Sequence, residues 1–371
     1  MADYDLAIVG AGILGLAHAL AALRLGKRVV VIERDHRANG ASIRNFGFIT
    51  VTGQQRGECW QRARRSRDVW AEIAPRADID VVQEGLAVVA RRPEAAAVLD
   101  AFLQTEMGAD CTLLDRAGAA RRFPQISGKV EAVLWSPFDL RVESRDAIPR
   151  LTAWLASQGV AFVNGESVME VAPPVIRTSR GVISAGRAIV CPGDDLATLF
   201  PERMAALGIQ RCKLQMMRLR PEAGFELPGA VMTDLSLVRY LGYAELPEAA
   251  ALRVRLEREQ LPHLTGGVHL IAVQSSDGSL VVGDTHRYGG TMDPFAEAAL
   301  DALVLEELEA VFPGLDYDVE ERWIGTYASL PDRLMVVDRP SDLVRLVVVT
   351  SGTGASTSFA IGEEVIGELF A

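Results

Sequence analysis

The chain has 371 residues, 49% of them apolar, and its 38 Lys and Arg stand against 49 Asp and Glu, giving a net charge of −11. This length predicts two domains, and the acidic balance disfavours nucleic acid or a membrane surface as a partner because both attract basic proteins. The four cysteines include no CxxC pair and no histidine stands at metal-ligand spacing, so we expect reduced thiols, no metal and a cytoplasmic location. The start, MADYD, carries acids where a signal peptide needs bases, which favours the same location.

The first predicted unit is a strand, a glycine turn, a helix and a second strand, between Asp5 and Glu33. The turn has the sequence GAGILG, and Glu33 follows the second apolar run. Such a turn brings backbone N–H groups and a helix N-terminus to a pyrophosphate, and an acid about 20 residues further on accepts ribose hydroxyls. We therefore predict a dinucleotide site at Gly10, Gly12, Gly15 and Glu33. A glycine turn that binds nothing is the alternative.

A polar loop follows Glu33 and contains GASIRNFG at residues 40–47. Its small residues, hydroxyl, guanidinium and amide suit the lining of a long anionic ligand, and an ordinary surface loop is the alternative. Residues 55–73 then indicate an arginine-rich helix whose charged side faces solvent.

Short β-like runs from Val81 onward predict a second domain that starts near residue 82 and contains a mixed or antiparallel sheet. Residues 144–158 predict a helix with Ser144 as N-cap, and the strands that follow it return to the first domain. Residues 207–220 and 231–243 indicate strands of the second domain. The SDGS sequence at 276–279 is the strongest hairpin signal in the chain.

A last strand, loop and helix are predicted from residue 343 to Phe370. The apolar run 343–349 is typical of a buried strand, and the loop after it reads TSGTGAST. Two glycines and several hydroxyls before a helix N-terminus favour a site for a polar or anionic ligand, or for a ring that faces the helix dipole. A plain strand-to-helix connection is the alternative.

Together these features resemble the D-amino-acid oxidase superfamily of FAD-dependent amine oxidoreductases, which includes glycine oxidase and sarcosine oxidase. Further matching motifs are Cys191-Pro192-Gly193, the GDTH sequence at 283–286 and the WIG sequence at 323–325. The resemblance implies an α/β, two-domain enzyme. A Rossmann-like FAD-binding domain would comprise residues 1–82, 142–205 and 320–371. A substrate-binding α+β domain with a largely antiparallel sheet would comprise residues 83–141 and 206–319.

The resemblance also implies a set of FAD-binding residues. They are Gly10, Ala11, Gly12, Ile13, Leu14, Gly15, Glu33, Arg34, Ser42, Arg44, Asn45, Phe46, Gly47, Val168, Cys191, Pro192, Gly193, Gly352, Thr353, Gly354, Ala355, Ser356 and Thr357. The cysteine that bonds covalently to FAD in sarcosine oxidases would fall near Gly325, so non-covalent FAD is expected. In such enzymes a hydride equivalent passes from the carbon next to nitrogen to flavin N5, and the imine then hydrolyses.

Two departures from the family pattern concern the substrate anion. The arginine that clamps the carboxylate in glycine and D-amino-acid oxidases best matches Tyr327, and the lysine of sarcosine oxidases matches Ser356. We therefore expect the anion to be held by other groups of the second domain. The candidate catalytic and substrate-binding residues are Arg239, Tyr240, His286, Tyr327 and Lys213. Solvent-facing strand positions for Arg239 and Lys213, and a hydrogen-bonded hairpin histidine at His286, are the structural alternatives.

The sequences of residues 188–200 and of the C-terminal loop resemble those of a branch of this family that is associated with bacterial phosphonate breakdown. The expected function is thus oxidative deamination of a 2-aminoalkylphosphonate, such as 2-aminoethylphosphonate or its N-methyl form, with oxygen as acceptor. The alternatives are a glycine-, sarcosine- or D-amino-acid-type oxidase, a flavoprotein that passes electrons to a partner, and an NAD-dependent dehydrogenase. The oligomeric state stays open.

Overall fold

The computed structural model describes residues 2–371, which form two β-sheets with helices packed against them. The strands are β1 (Tyr4–Val9), β2 (Val29–Glu33), β3 (Phe48–Ile49), β4 (Val81–Ala90), β5 (Thr112–Asp115), β6 (Ala132–Val142), β7 (Ala161–Asn164), β8 (Val168–Ala172), β9 (Val175–Thr178), β10 (Val182–Val190), β11 (Gln210–Pro221), β12 (Ala230–Thr233), β13 (Ile271–Gln274), β14 (Leu280–Gly283), β15 (Arg287–Gly289), β16 (Tyr317–Ser329), β17 (Met335–Ser341) and β18 (Val344–Val349). The α-helices are α1 (Ile13–Arg24), α2 (Glu58–Ile73), α3 (Pro93–Leu103), α4 (Arg116–Arg122), α5 (Ser144–Ser157), α6 (Pro201–Leu207), α7 (Asp234–Leu237), α8 (Leu241–Ala244), α9 (Ala249–Glu259), α10 (Leu261–Gly266), α11 (Ala298–Val311) and α12 (Gly354–Phe370).

The first sheet has the order β17-β18-β10-β1-β2-β7, and β8 and β9 extend it beside β10. Its four inner pairings from β18 to β7 are parallel, whereas β17 pairs antiparallel at one edge. The strands β1, β2 and β18 are mostly apolar because both faces of this sheet are covered. Helices α1, α2, α5 and α12 share one apolar core on one side of it, where Trp70 packs edge-on against Phe359.

The second sheet has the order β15-β11-β14-β13-β12-β4-β6-β3, with β16 paired to β11 and β5 to β6. Every pairing in it is antiparallel except that of β4 with β12. The predicted hairpin at the SDGS turn is confirmed as β13–β14, in which Ile271 pairs with Gly283. Helices α3, α9 and α11 bury their apolar sides in the core beside this sheet.

The predicted strand at 231–243 is wrong beyond Thr233. The chain leaves the sheet there and continues as the short helices α7 and α8. The buried Asp234 accepts a hydrogen bond from the backbone of Arg91 at 2.8 Å and pairs with the Arg92 guanidinium at 2.7 Å, so the turn satisfies a carboxylate inside the core. Arg239 and Tyr240 therefore lie between two helical turns and not on a strand.

Ser144 is also not the N-cap of α5. The helix begins at Ser144 itself after Glu143, and the Ser144 hydroxyl donates to Asn45 Oδ1 at 2.8 Å instead of capping the helix. This contact joins the helix to the loop at 40–47, which no spacing in the sequence would reveal.

The predicted fold class is confirmed: a Rossmann-like parallel sheet accompanies a second, largely antiparallel one. Strand β16 runs across the expected domain boundary at residue 320 and pairs along its length with β11. Among residues 2–371, no helix combines the length and the apolar character needed to cross a membrane.

Candidate active site

A cavity of about 780 Å³ lies where the two sheets approach one another. Its walls come from the carboxyl ends of β1, β2, β10 and β18 in the first sheet, and from β11, β16 and the ends of β13 and β14 in the second. Ligand sites in open parallel sheets lie beyond the carboxyl ends of the strands, and pockets of this volume hold drug-sized or cofactor-sized molecules.

The glycine turn between β1 and α1 forms one end of the cavity. Gly10 has a φ of +101°, and a Cβ there would lie 2.5 Å from the carbonyl oxygen of Cys191. A Cβ on Gly15 would lie 1.9 Å from the carbonyl oxygen of Gly10. Gly12 precedes α1 without a side-chain cap, and Ser42 Oγ accepts the N–H of Ile13 at 2.9 Å. The turn thus requires glycine and leaves the start of α1 facing the cavity.

Glu33 ends β2 beside this turn and is buried. One carboxylate oxygen accepts the N–H of Ala11 at 2.8 Å, and the other accepts the N–H of Asp35 at 3.1 Å. Two backbone donors hold the carboxylate in place, and each oxygen keeps a lone pair for a further donor. Nearby, Arg34 pairs with Asp195 at 2.7 Å along the cavity wall.

The loop at 40–47 lines the cavity between the glycine turn and the second sheet. The Asn45 amide donates to the carbonyl oxygen of Ala41 at 2.6 Å, and its oxygen accepts the N–H of Gly47 at 2.6 Å. The side chain of Asn45 therefore fixes the shape of the loop. Arg44 lines the cavity, whereas Gly47 lies behind this lining, where a Cβ would meet the carbonyl oxygen of Val142.

The loop between β18 and α12 forms the facing wall. The helix begins without a side-chain cap, and Gly354 and Ala355 of its first turn line the cavity, so their backbone N–H groups are available to a ligand. Ser356 Oγ accepts the N–H of Thr50 at 2.8 Å, and Trp70 Nε1 donates to the carbonyl oxygen of Ala355 at 2.9 Å. Thr357 points back into its own helix and does not line the cavity.

Polar and aromatic side chains on and beside the second sheet line the remaining wall. Arg239 Nη2 donates to Tyr288 Oη at 3.1 Å. His269 Nε2 lies 2.9 Å from Asp284 Oδ1, and His286 Nε2 lies 3.6 Å from Asp284 Oδ2. The two imidazole rings are stacked with centroids 5.3 Å apart. The residues that complete this group are Tyr240 and Tyr327.

Burial shifts the pKa values of this wall. It raises the pKa of Tyr240 and of Tyr327 well above the usual value, so both phenols keep their protons and can donate. Burial, aided by Arg239, lowers the pKa of His286 to about 3 despite Asp284. Burial alone would raise the pKa of Asp284, but His286, His269 and Arg239 bring it down to about 2. Near neutral pH the wall therefore holds a guanidinium, a carboxylate and a neutral His286 ring.

The structure thus brings Arg239, Tyr240, His286 and Tyr327 to one wall, and it places Lys213 elsewhere. Lys213 is 2% exposed, and its ammonium group is held by Asp293 at 2.9 Å and by the carbonyl oxygen of Phe295 at 2.8 Å. Of the predicted cofactor residues, Ala11, Gly47 and Thr357 lie behind the cavity lining, and the others line it.

Two residues of the wall were not predicted: His269 and Asp284. Asp284 stands two residues before His286 in the motif already noted. His269 lies opposite Asp284 because the hairpin pairs their backbones, with the N–H of Asp284 donating to the carbonyl oxygen of His269 at 3.0 Å. Continuing the strand pairing of the predicted hairpin beyond its two strands would have identified His269.

The residues present fit FAD. The close contacts at Gly10 and Gly15 show that the turn packs too tightly for side chains, as the glycine turn of a dinucleotide site does. The Glu33 carboxylate keeps lone pairs for ribose hydroxyls, and the starts of α1 and α12 line the same cavity. The volume is large enough for a long ligand that reaches the second sheet.

Comparison with known proteins agrees with this description. A family model described as "DAO: FAD dependent oxidoreductase" matches residues 5–367. The chain is 25% identical over 353 residues to the "Bifunctional protein ThiO/ThiG" of Nostoc sp., a match that covers 90% of this chain and 47% of that protein. The chain thus spans about half the length of this relative.

Solved structures share the fold at lower sequence identity. Glycine oxidase from Geobacillus kaustophilus superposes with a TM-score of 0.77 at 19% identity, over 99% of this chain and 94% of that one. L-proline dehydrogenase from P. horikoshii superposes with a TM-score of 0.78 at 19% identity, over 98% and 92% of the two chains.

Proposed function

Because this chain belongs to the DAO family of FAD-dependent oxidoreductases, we propose that it oxidises the carbon–nitrogen bond of a small anionic amine, with a 2-aminoalkylphosphonate as the preferred substrate. The products are the aldehyde and ammonia, or methylamine from an N-methyl substrate, after water adds to the imine. Bound FAD supplies the two-electron acceptor for this oxidation.

One observation carries the proposal. The guanidinium of Arg239 lies in the cavity wall, and within residues 2–371 the one side-chain hydrogen bond assigned to it runs to Tyr288. A guanidinium has five N–H donors, so most of them are open to a ligand. Tyr240 and Tyr327 add phenol donors in the same wall. This set suits an anion with several acceptor oxygens, which a phosphonate provides.

The other walls orient the cofactor. The glycine turn and the start of α1 would hold the pyrophosphate, Glu33 the adenosine ribose, and the loops at 40–47 and 351–357 the flavin end. Arg239 would then hold the substrate by the group distant from its nitrogen, which fixes the reacting carbon at one position in the cavity.

The arginine and the lysine that hold a substrate carboxylate in related oxidases have no counterpart at the matching positions. This favours a phosphonate over an amino acid as the substrate. Tyr327 stands where glycine oxidases carry an arginine, and the hydroxyl of Ser356 is engaged with the backbone of Thr50. A glycine- or proline-like substrate is the second candidate, since structures of the same fold are named glycine oxidase and L-proline dehydrogenase.

The test is reduction of the enzyme-bound flavin without oxygen. We expect 2-aminoethylphosphonate or its N-methyl form to bleach the flavin absorbance faster than glycine, sarcosine, L-proline or D-alanine at equal concentration. An aldehyde product detected by hydrazone formation would identify the bond that is oxidised. If an amino acid bleached the flavin faster, the result would support the second candidate, a glycine- or proline-like substrate. No bleaching by any of these amines would contradict the proposal.

Oxygen is the proposed electron acceptor. Reduced enzyme mixed with air-saturated buffer should regain its yellow colour within seconds and release hydrogen peroxide. Reoxidation that needs an added quinone or dye would instead assign the protein to the dehydrogenases, which pass electrons to a partner.

A further inference from the structure

His269, Asp284 and His286 form a compact cluster on the cavity wall of the second sheet. All three are more than nine-tenths buried, and their nearest nitrogen and oxygen atoms lie within 4.8 Å of one another. These three residues lie near Arg239, but the proposed oxidation assigns them no role.

The partner of His286 determines which of its ring nitrogens carries hydrogen. His286 Nδ1 lies 2.8 Å from the carbonyl oxygen of Gly267, which can only accept, so Nδ1 donates and Nε2 keeps its lone pair. His269 Nδ1 lies 3.3 Å from Ser236 Oγ, a hydroxyl that can either donate or accept.

The cluster leaves a buried carboxylate oxygen without a partner. The Nε2 atoms of His269 and His286 lie 2.9 Å and 3.6 Å from the two oxygens of Asp284, yet no group within residues 2–371 donates a directed hydrogen bond to Asp284 Oδ1. A buried carboxylate oxygen without a donor is costly, and a donor or a cation from a ligand satisfies it.

We propose that His269, Asp284 and His286 form a subsite for the ammonium group of the substrate, so that the enzyme selects zwitterions whose anionic end contacts Arg239. The inference rests on the proposed function and specifies its substrate class. An ammonium group brings three N–H donors and one positive charge, which match the Nε2 lone pair of His286 and the unpartnered carboxylate oxygen of Asp284. The low pKa of Asp284 keeps that carboxylate charged at neutral pH.

Neighbouring rings hold the cluster in place. Tyr240 packs edge-on against His269 at 5.6 Å, and the rings of Tyr288 and Tyr327 lie 6.4 Å and 6.5 Å from that of His286. Because these side chains are already fixed, little conformational entropy is lost when a ligand binds to them.

A divalent metal would use the same three ligand atoms but fits them less well. Arg239 in the same wall repels a doubly charged ion more strongly than an ammonium group.

The test uses two matched probes that cannot be oxidised. In (2-amino-2-methylpropyl)phosphonate the carbon next to nitrogen bears no hydrogen, and in (2,2-dimethylpropyl)phosphonate a methyl group replaces the ammonium group. Binding of each to the FAD-loaded enzyme is measured by the change in flavin absorbance and by calorimetry. We expect the unmodified enzyme to bind the ammonium probe on the order of 10- to 100-fold more tightly.

The variant Asp284→Asn should abolish this preference. Binding of the ammonium probe should weaken by the same factor, while binding of the methyl probe should stay unchanged or tighten, because the carboxylate no longer repels the phosphonate. A structural role of Asp284 would weaken both probes together. Asp277→Asn, in the adjacent hairpin turn and outside the cavity, is the matched control and should change neither affinity.

Three results would overturn the subsite: equal binding of both probes to the unmodified enzyme, parallel weakening in Asp284→Asn, or stoichiometric zinc, iron or manganese in the purified protein that the variant lacks. The comparison of the two probes and the metal content are both measured on the unmodified enzyme. The proposal can therefore be tested even if Asp284→Asn does not fold. Neither probe is turned over. The outcome is therefore separate from the flavin-reduction test of the proposed function.

Discussion

Arg239 lies in the cavity wall between α7 and α8, and its charge is the basis of the proposed anion site. Arg239→Met should remove a charge-assisted contact of roughly 2 to 4 kcal/mol, a fall of about 30- to 1000-fold in kcat/KM with flavin content kept. Arg239→Lys should recover part of the loss, because an ammonium group cannot reproduce the planar fork. Steady-state kinetics with the best amine found is the measurement.

The control for this prediction is Arg220→Met. Arg220 lies on β11 outside the cavity and pairs with Asp277 and Glu320, so its loss should leave kcat/KM unchanged. If both Arg239 variants reduced their flavin at the rate of the unmodified enzyme, the anion would have to be held elsewhere.

His18 makes the stability of the first sheet sensitive to acid. It is fully buried in α1, and burial lowers its pKa to about 4 although Nδ1 donates to the carbonyl oxygen of Leu14 at 2.7 Å. The unfolded chain takes up a proton near pH 6.5, while the folded chain does not until about pH 4. The free energy of unfolding should therefore fall as the pH drops through this window, by roughly 1.4 kcal/mol per unit from this group.

His18→Leu should remove that part of the slope. Urea unfolding of the FAD-saturated protein between about pH 7 and 5 would measure it, with the exposed His36→Leu as a control that keeps the slope of the unmodified protein. An equal slope in His18→Leu would mean that His18 is protonated in the folded state.

Lys213 and His269 show what could be predicted for single residues. The glycine turn and Glu33 were predictable because their spacing is short and each has a local chemical reason. Lys213 was expected at the substrate, but its ammonium group is held by a loop about 80 residues further along the chain. His269 was missed because its partner Asp284 lies across a hairpin. Neither position follows from neighbours in the sequence.

At the scale of elements, α12 packs tightly on α1. A Cβ on Gly362 would lie 2.8 Å from the backbone of Ala17, whereas a Cβ on Gly367 in the same helix would meet nothing within 4 Å. Gly362→Ala should thus destabilise the protein by roughly 1 to 3 kcal/mol. Gly367→Ala should stabilise it by up to about 1 kcal/mol, since alanine restricts the unfolded chain.

Thermal unfolding of the two variants measures this difference, and each serves as the control for the other. A rise in Tm for Gly362→Ala would show that α12 can move away from α1 at little cost.

The elements themselves were predictable to different degrees. Strands with continuous apolar runs and the SDGS hairpin are as expected, because burial and turn chemistry act locally. The region after Thr233 also contains apolar residues in short succession, but the buried Asp234 turns the chain out of the sheet to meet Arg92. A long-range ion pair of this kind overrides local preference.

At the scale of the whole molecule, the cavity is closed by both sheets, and we expect it to hold FAD without a covalent bond. A Cβ at Gly325 would lie 2.7 Å from Leu214 and 3.0 Å from the carbonyl oxygen of Arg44, so a side chain fits poorly near the position where the family resemblance would place the linking cysteine. Acid precipitation should therefore release all the flavin into the supernatant, measured by its absorbance. A yellow pellet would contradict this prediction.

The strand order of the first sheet has a consequence for synthesis on the ribosome. Strand β10 lies between β1 and β18, so the parallel sheet cannot be completed until β18 has emerged, about 150 residues after β10. Until then β10 presents an apolar strand edge, which is prone to pair with other chains. We expect the yield of active protein in cells to depend on chaperone capacity and on slow translation, because completion of the sheet must wait for β18.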